Sequence, residues 1–309
     1  MTKRPWPTRW WAELLLLGLV YGAYSGGRLL ARGDADLAVG HGLAILRAEE
    51  LLHLDFERPL NRLFSRTGAL GIPADFVYAS LHYLVTPAVL LWLYHRRPAH
   101  YRTARTWLVA STLLGLIGFT LLPTCPPRLL DAPYGFTDTM ARYSAYGWWG
   151  GEASAPRGLG SLTNQYAAMP SLHVGWALWC GLLVWRYARR PLVRALGLAY
   201  PALTTVVVMG TANHYFLDAV AGAAVMGAGL AIARRLAARR APEPLSAPDR
   251  AKDTTPAAPS PAAGAPPEAQ PAGFHGTSTL VSGGWDTSAR ELLPARRSRA
   301  DDDTAATPR

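Results

Sequence analysis

Four clusters of basic residues divide the first 240 positions of this chain into long apolar stretches, and that alternation limits the available folds more than any other feature. A helix crossing the hydrocarbon core of a bilayer needs about 20 mostly apolar residues. Six stretches qualify, at about 11–30, 74–94, 107–123, 170–186, 193–212 and 215–233. Lys3, Arg4 and Arg9 precede the first; Arg96, Arg97, Arg102 and Arg105 follow the second; Arg186, Arg189, Arg190 and Arg194 follow the fourth; Arg234, Arg235, Arg239 and Arg240 follow the sixth. The intervening segments 31–71 and 123–169 mix acids and bases nearly evenly. By the positive-inside rule the clusters lie on the cytoplasmic side, so both termini face inward and the two mixed segments face outward.

Charge and composition then read differently from their averages. The net charge of +10 raises nucleic acid as a partner, but the fifteen cations of the four clusters exceed it, so the excess is a topology signal and no nucleic acid is implied. A mean hydropathy of +0.07 conceals two unlike regions. Residues 241–309 hold 11 of the 25 prolines, long Ala/Pro/Ser/Thr tracts and the acidic run Asp301-Asp302-Asp303. Such a segment buries too little apolar surface to offset its ordering entropy, so a disordered cytoplasmic tail is expected there. Cys125 and Cys180 are too few for a disulfide framework or a CxxC metal site.

The expected fold is therefore all-α, a polytopic membrane helix bundle of six transmembrane helices over residues 1–240, with the tail over 241–309. From about Leu43 to Phe64, apolar Ile45, Leu52, Phe56, Leu60 and Leu63 recur among charges, which predicts an amphipathic helix along the outer interface. Residues 1–26 also read as a secretory signal, with a basic start and small residues Ser25-Gly26-Gly27. Apolar character continuing to Leu30, and the even span count, favour a first span.

Ionisable groups at membrane depth are functional candidates by default. His173 follows Met169-Pro170-Ser171-Leu172 at the outer end of the fourth stretch, and His214 and Asp218 open the sixth. On a helix, residues four apart share a face, so Asp218 can accept the hydrogen of one His214 ring nitrogen and leave the other as a lone pair. That is the preparation a nucleophilic histidine needs; a polar pair joining two helices is the plainer alternative. Pro170 suits a first helical position, which would direct the amides of Ser171, Leu172 and His173 toward an outer vestibule able to hold phosphate. In Pro123-Thr124-Cys125-Pro126-Pro127-Arg128, prolines stiffen the arm that carries Arg128, whose planar fork matches phosphate oxygens. His82, in Ser80-Leu81-His82-Tyr83, lies within reach of the same vestibule but reads more simply as a packing residue, and is left out of the catalytic set.

A Pro-Pro-Arg loop, then Pro-Ser-Leu-His, then His-Tyr-Phe-Leu-Asp, each at the outer end of a span, resembles the type-2 phosphatidic acid phosphatase superfamily over roughly residues 10–235. The Met-Pro-Ser-Leu-His and Asn-His-Tyr-Phe-Leu-Asp wording is most similar to the branch typified by inositol phosphorylceramide synthase and its actinobacterial relatives. The resemblance implies that His214 attacks phosphorus to form a phosphohistidine, that Asp218 orients it, and that His173 protonates the departing oxygen and then serves as base. It implies that Arg128 and Ser171 cradle the phosphoryl oxygens, that no metal or other cofactor is required, and that the substrate is a phospholipid or a polyisoprenoid or other lipid phosphate, with a polyol as acceptor in the transferase branch. Two departures stand out. The chain's two lysines, Lys3 and Lys252, both fall on the cytoplasmic side, and Val208 occupies the place of an arginine six residues before the histidine. Arg128 then carries an unusual share of the charge, or Arg142 or Arg157 joins it.

Two other classes stay open on sequence alone. His173, His214 and Asp218 could be ligands of a metal-dependent membrane hydrolase, although no His-Glu-x-x-His signature is present. Small residues Ala219, Ala223 and Gly227 and the mid-span Pro201 are also common in transporters or lipid-binding proteins, although no inverted repeat of motifs relates the two halves.

Overall fold

The computed structural model describes residues 9–30, 34–149 and 164–240, so the proline-rich segment 241–309 and Arg157 lie outside the described residues. Among the described residues ten α-helices run in order: α1 (Trp10–Leu30), α2 (Ala35–Leu52), α3 (Glu57–Arg66), α4 (Gly68–Phe76), α5 (His82–Arg96), α6 (Pro98–Leu121), α7 (Thr139–Arg142), α8 (Leu172–Tyr187), α9 (Pro191–Gly210) and α10 (Phe216–Ala238). A π-helical turn over Val77–Leu81 joins α4 to α5 in one 29-residue rod. No strand forms among the described residues; Thr124 and Ala167 make one isolated parallel bridge.

Among the described residues four helices are long and apolar enough to cross a membrane: the rod Gly68–Arg96, α6, α9 and α10. Their outer surfaces expose Leu84, Leu91, Ile117, Leu203 and Val220. Apolar side chains distributed this way suit hydrocarbon rather than water. The other two expected spans are helices of a different kind. The apolar run of α1 is shorter, covering Trp10–Ala23. At 16 residues α8 is about 24 Å long, less than the bilayer core. It is bounded by the Ser171 cap and by the Ala188–Arg190 break before Pro191, and it lies among α5, α6, α9 and α10 with Ala177, Trp179 and Cys180 buried.

Several boundaries differ from the sequence expectation because helix continues through the basic clusters. Pro98 starts α6 nine residues early, which places Arg102 and Arg105 on the helix, and α10 runs past Arg234 and Arg235. Long arginine side chains tolerate this by extending along the helix toward water. Arg105 pairs with Glu13 of α1, whose other oxygen accepts the Tyr101 hydroxyl at 2.9 Å. The single amphipathic helix expected over 43–64 is two helices, α2 and α3, separated where His53 adopts a left-handed conformation (φ 57°) and closes α2.

At the arginine-rich end the core is aromatic. The Trp107 indole donates to the Met226 carbonyl at 2.7 Å and the Trp179 indole to the Ala104 carbonyl at 3.0 Å, so two large rings are buried with their N–H groups satisfied. Small residues set the helix spacing, but of the expected stripe only Ala219 is buried on the packed face of α10. A Cβ on Gly227 would meet nothing within 4 Å, whereas one on Gly229 would lie 2.0 Å from the Ser111 hydroxyl and one on Gly222 would lie 2.2 Å from the Ser171 carbonyl. The close approach is made by Gly222 and Gly229, which share the buried face of α10 with Met226.

Candidate functional site

Four segments meet at the opposite end of α8 and α10, and main-chain hydrogen bonds join them. The Thr124 amide donates to Tyr166 at 2.7 Å, the Ala168 amide to Thr124 at 3.2 Å, the Cys125 amide to Ala38 at 3.0 Å and the Arg128 amide to Ala212 at 2.8 Å. Backbone pairing of this kind fixes loops as firmly as a short sheet does. Ala212 itself lies in the left-handed region (φ 55°), a conformation that costs an L-residue on the order of 1–2 kcal/mol and persists only where its surroundings impose it.

His214 sits in the turn between α9 and α10, with Tyr215 as the N-cap, so the pair His214 and Asp218 is not stacked on one helical face as the spacing predicts. Asp218 instead occupies the third position of the helix and reaches back, accepting the Tyr215 amide at 2.9 Å and facing His214 Nδ1 at 3.3 Å. The nearer partner of Nδ1 is the Ala168 carbonyl at 2.8 Å. A carbonyl oxygen only accepts, so Nδ1 carries the hydrogen, and in the neutral ring Nε2 then holds the lone pair. Asp218 is fully buried, with its carboxyl beside the ring.

His173 lies in the first turn of α8, its ring centroid 5.7 Å from that of His214. The helix begins at Leu172 with Ser171 as N-cap, so Pro170 stands one residue outside it rather than at the first helical position. Nor does the Ser171 amide face a vestibule; it donates to the Asp218 carbonyl at 2.9 Å. The Ser171 hydroxyl is buried and lies 3.5 Å from the Val174 amide, a long capping contact.

Arg128 reaches the same place. Its side chain is only 4% exposed, with Nε donating to Asn213 Oδ1 at 3.0 Å and Nη1 to Asp138 Oδ2 at 3.0 Å. Two acceptors, the buried Asn213 and the partly buried Asp138, orient the guanidinium beside the turn that carries His214. Arg142 is exposed at the end of α7. Val208, standing in the place of the arginine, is buried, and its carbonyl accepts the amides of Asn213 and His214 at 3.0 and 3.2 Å.

Sequence reasoning missed several supporting residues. Asn213 and Asp138 hold Arg128; Asn213 opens the Asn-His-Tyr-Phe-Leu-Asp motif without that role being legible in it, and no motif marks Asp138. The π-turn brings Tyr78 and His82 together against His173: Tyr78 stacks on the imidazole at 4.5 Å and His82 meets it edge-on at 4.5 Å. Insertions of this kind recur at functional sites, and His82, which the sequence already places within reach of the vestibule, packs against His173 there. Asn61 of α3 donates to the Gly210 carbonyl at 3.0 Å, fastening the end of α9.

Set against known proteins, residues 43–232 match the family model described as the PAP2 superfamily. The chain belongs to the PAP2 superfamily. No match was found among curated proteins or solved structures. PAP2 members are membrane phosphatases and phosphotransferases acting on lipid phosphates, and this helical, membrane-type architecture fits that class. The PAP2 match begins within α2 and ends within α10, and it includes Arg128, His173, His214 and Asp218.

Among the described residues no three His, Cys, Asp or Glu side chains are grouped as metal ligands.

Proposed function

We propose that the protein is an integral-membrane phosphotransferase or phosphatase that acts on a lipid phosphate or phospholipid through a phosphohistidine at His214. The observation that carries this reading is the double restraint on His214 Nδ1, by the Ala168 carbonyl and the Asp218 carboxylate, with a second imidazole 5.7 Å away. A histidine prepared in this way has one nucleophilic nitrogen and a neighbouring anion to stabilise it once the ring turns positive.

In this mechanism His214 Nε2 attacks phosphorus and forms the P–N bond as the P–O bond to the leaving alcohol breaks. His173 gives its proton to that departing oxygen. Arg128, held by Asn213 and Asp138 through two of its five N–H donors, offers others to the equatorial phosphoryl oxygens, where charge spreads in the transition state. In the second half, His173 takes a proton from water or an alcohol, whose oxygen attacks phosphorus and frees His214. Ser171 serves this site through the start of α8. The similarity of Met169–His173 and Asn213–Asp218 to the inositol phosphorylceramide synthase branch favours a polyol as acceptor.

We also read α1 and α8 as completing six spans, with the arginine clusters cytoplasmic and the site on the outer face of the cell membrane. The test is turnover of a lipid extract by purified protein, followed by mass spectrometry with and without inositol, beside His214→Ala. A head-grouped phospholipid made only with inositol identifies a transferase; released phosphate alone identifies a phosphatase. Unchanged turnover by His214→Ala would exclude the phosphohistidine.

A further inference from the structure

Two glutamates outside this catalytic set lie directly behind it. Glu49 ends the buried stripe Ala38, Gly42, Leu46, Glu49 of α2, and Glu57 opens α3; neither has any exposed surface. Glu49 Oε1 accepts the Leu217 amide at 2.6 Å, and Glu57 Oε1 accepts the Phe216 amide. Tyr215, one residue earlier, donates its amide to Asp218. Three carboxyls thus take three successive N–H groups at the start of α10, where the helix presents free donors and positive potential.

The remaining oxygens, Oε2 of Glu49 and of Glu57, are buried and receive no hydrogen bond from any N–H or hydroxyl group. Glu49 and Glu57 are neighbours there, and each carboxyl acts on the ionisation of the other. Two ionised carboxylates cannot share such a place, but one acid and one carboxylate can, with a single proton between them. Burial above all, and then the neighbouring Glu57 carboxyl, raise Glu49 to about 9; burial raises Glu57 as well. The titratable groups facing the pair are Asp218 and Tyr215 at the start of α10. Cys125, from the loop packed on α2 and Tyr215, stays a neutral thiol because burial lifts it to about 11.

We propose that Glu49 and Glu57 are positioning residues for His214: sharing one proton, they clamp the first amides of α10 and so fix the imidazole against His173 and Arg128. His214 precedes the clamped Phe216 by two residues, and the turn between them has no other attachment to α2 or α3 among the main-chain bonds described. What the pair positions rests on the phosphotransfer reading; its existence does not.

The experiment uses the full chain in detergent, with short-chain phosphatidic acid as probe, comparing wild type, E49Q, E49A and E57A. Turnover by wild type falls as pH rises through about 9, because the second carboxylate then forms beside the first. Glutamine can accept from Leu217 and donate to Glu57 without ionising, so E49Q restores turnover near neutral pH and lacks that alkaline fall. E49A and E57A lose about tenfold or more in kcat with little change in KM, as expected when a reacting group is displaced by a fraction of an ångström. An alkaline fall unchanged in E49Q, a folded but inactive E49Q, or full turnover by both alanine variants would overturn the proposal. The infrared band of a protonated carboxyl, subtracted between wild type and E49Q, reports the pair without any substrate. If that band is present and no lipid phosphate is turned over, the phosphotransfer reading fails while the pair stands. If lipid phosphate is turned over and the band is absent, the shared proton is overturned while phosphotransfer stands.

Discussion

The Ser171 amide donates to the main-chain carbonyl of Asp218 at 2.9 Å, which joins the helix carrying His173 to the helix that follows His214. One turn further along α10, Gly222 faces the Ser171 carbonyl, and a Cβ there would lie 2.2 Å from that oxygen. The obstacle is backbone, so the helix start itself has to move. Gly222→Ala is expected to cost roughly 1–3 kcal/mol of stability and to lower turnover at least tenfold by separating the two imidazoles. Gly227→Ala is the control: open space surrounds that position, and alanine in an exposed helix stabilises by about 0.5–1 kcal/mol. Thermal unfolding and initial rates of the two variants check both outcomes.

Asp218→Asn separates the charge of Asp218 from its geometry. Asparagine can still accept the Tyr215 amide, and the Ala168 carbonyl still holds the hydrogen on His214 Nδ1. Only the anion beside the ring is lost. The rate of phosphoenzyme formation should therefore fall by about 10²-fold, well short of the roughly 10⁴-fold cost when a histidine loses its tautomer. Rapid-quench measurement of the acid-labile phosphoenzyme distinguishes the two magnitudes.

Much of this arrangement is legible in the sequence because it depends on local signals. Apolar length and arginine punctuation identify the long helices, and the motifs around Arg128, His173 and His214 identify residues that the structure brings together. What the sequence conceals is tertiary. Asn213 and Asp138 matter only because the 123–128 loop folds onto the turn before α10. The π-turn that aims Tyr78 and His82 at His173 leaves no compositional trace. Glu49 is the intermediate case. An acid recurring in register with Ala38, Gly42 and Leu46 occupies a position where burial is expected, and a buried carboxyl requires a donor. That anomaly is legible along α2 alone, whereas its partners on α3 and α10 emerge only from the packing of the three helices.

The same glutamate gives stability a definite pH dependence. Its carboxyl stands at 4.5 in its ordinary state and about 9 in the folded protein, so folding takes up a proton that the unfolded chain releases. The contribution of Glu49 is fully present below about 4.5 and is lost as pH rises through about 9. Wild-type melting temperature should fall across that interval relative to E49Q, which has no proton to lose at this position. A pH series of thermal unfolding for both proteins, read as their difference, isolates this group from the other acids.

Arg128 offers the sharpest test of the phosphate-binding end. Its guanidinium uses Nε for Asn213 and Nη1 for Asp138, two bonds from different edges of one plane, and this keeps the fork in a single orientation. Lysine retains the charge but not the fork, and it cannot satisfy both acceptors while facing a phosphoryl group. Arg128→Lys should therefore lose about 10²-fold in kcat/KM, the usual cost of removing an oriented donor from a transition state. The same change leaves a buried acceptor short of its partner, at about 1–3 kcal/mol in stability. If charge alone mattered at this position, Arg128→Lys would keep most of its activity while Arg128→Ala lost it. Steady-state kinetics of the two variants on one lipid phosphate decide between a point charge and an oriented donor.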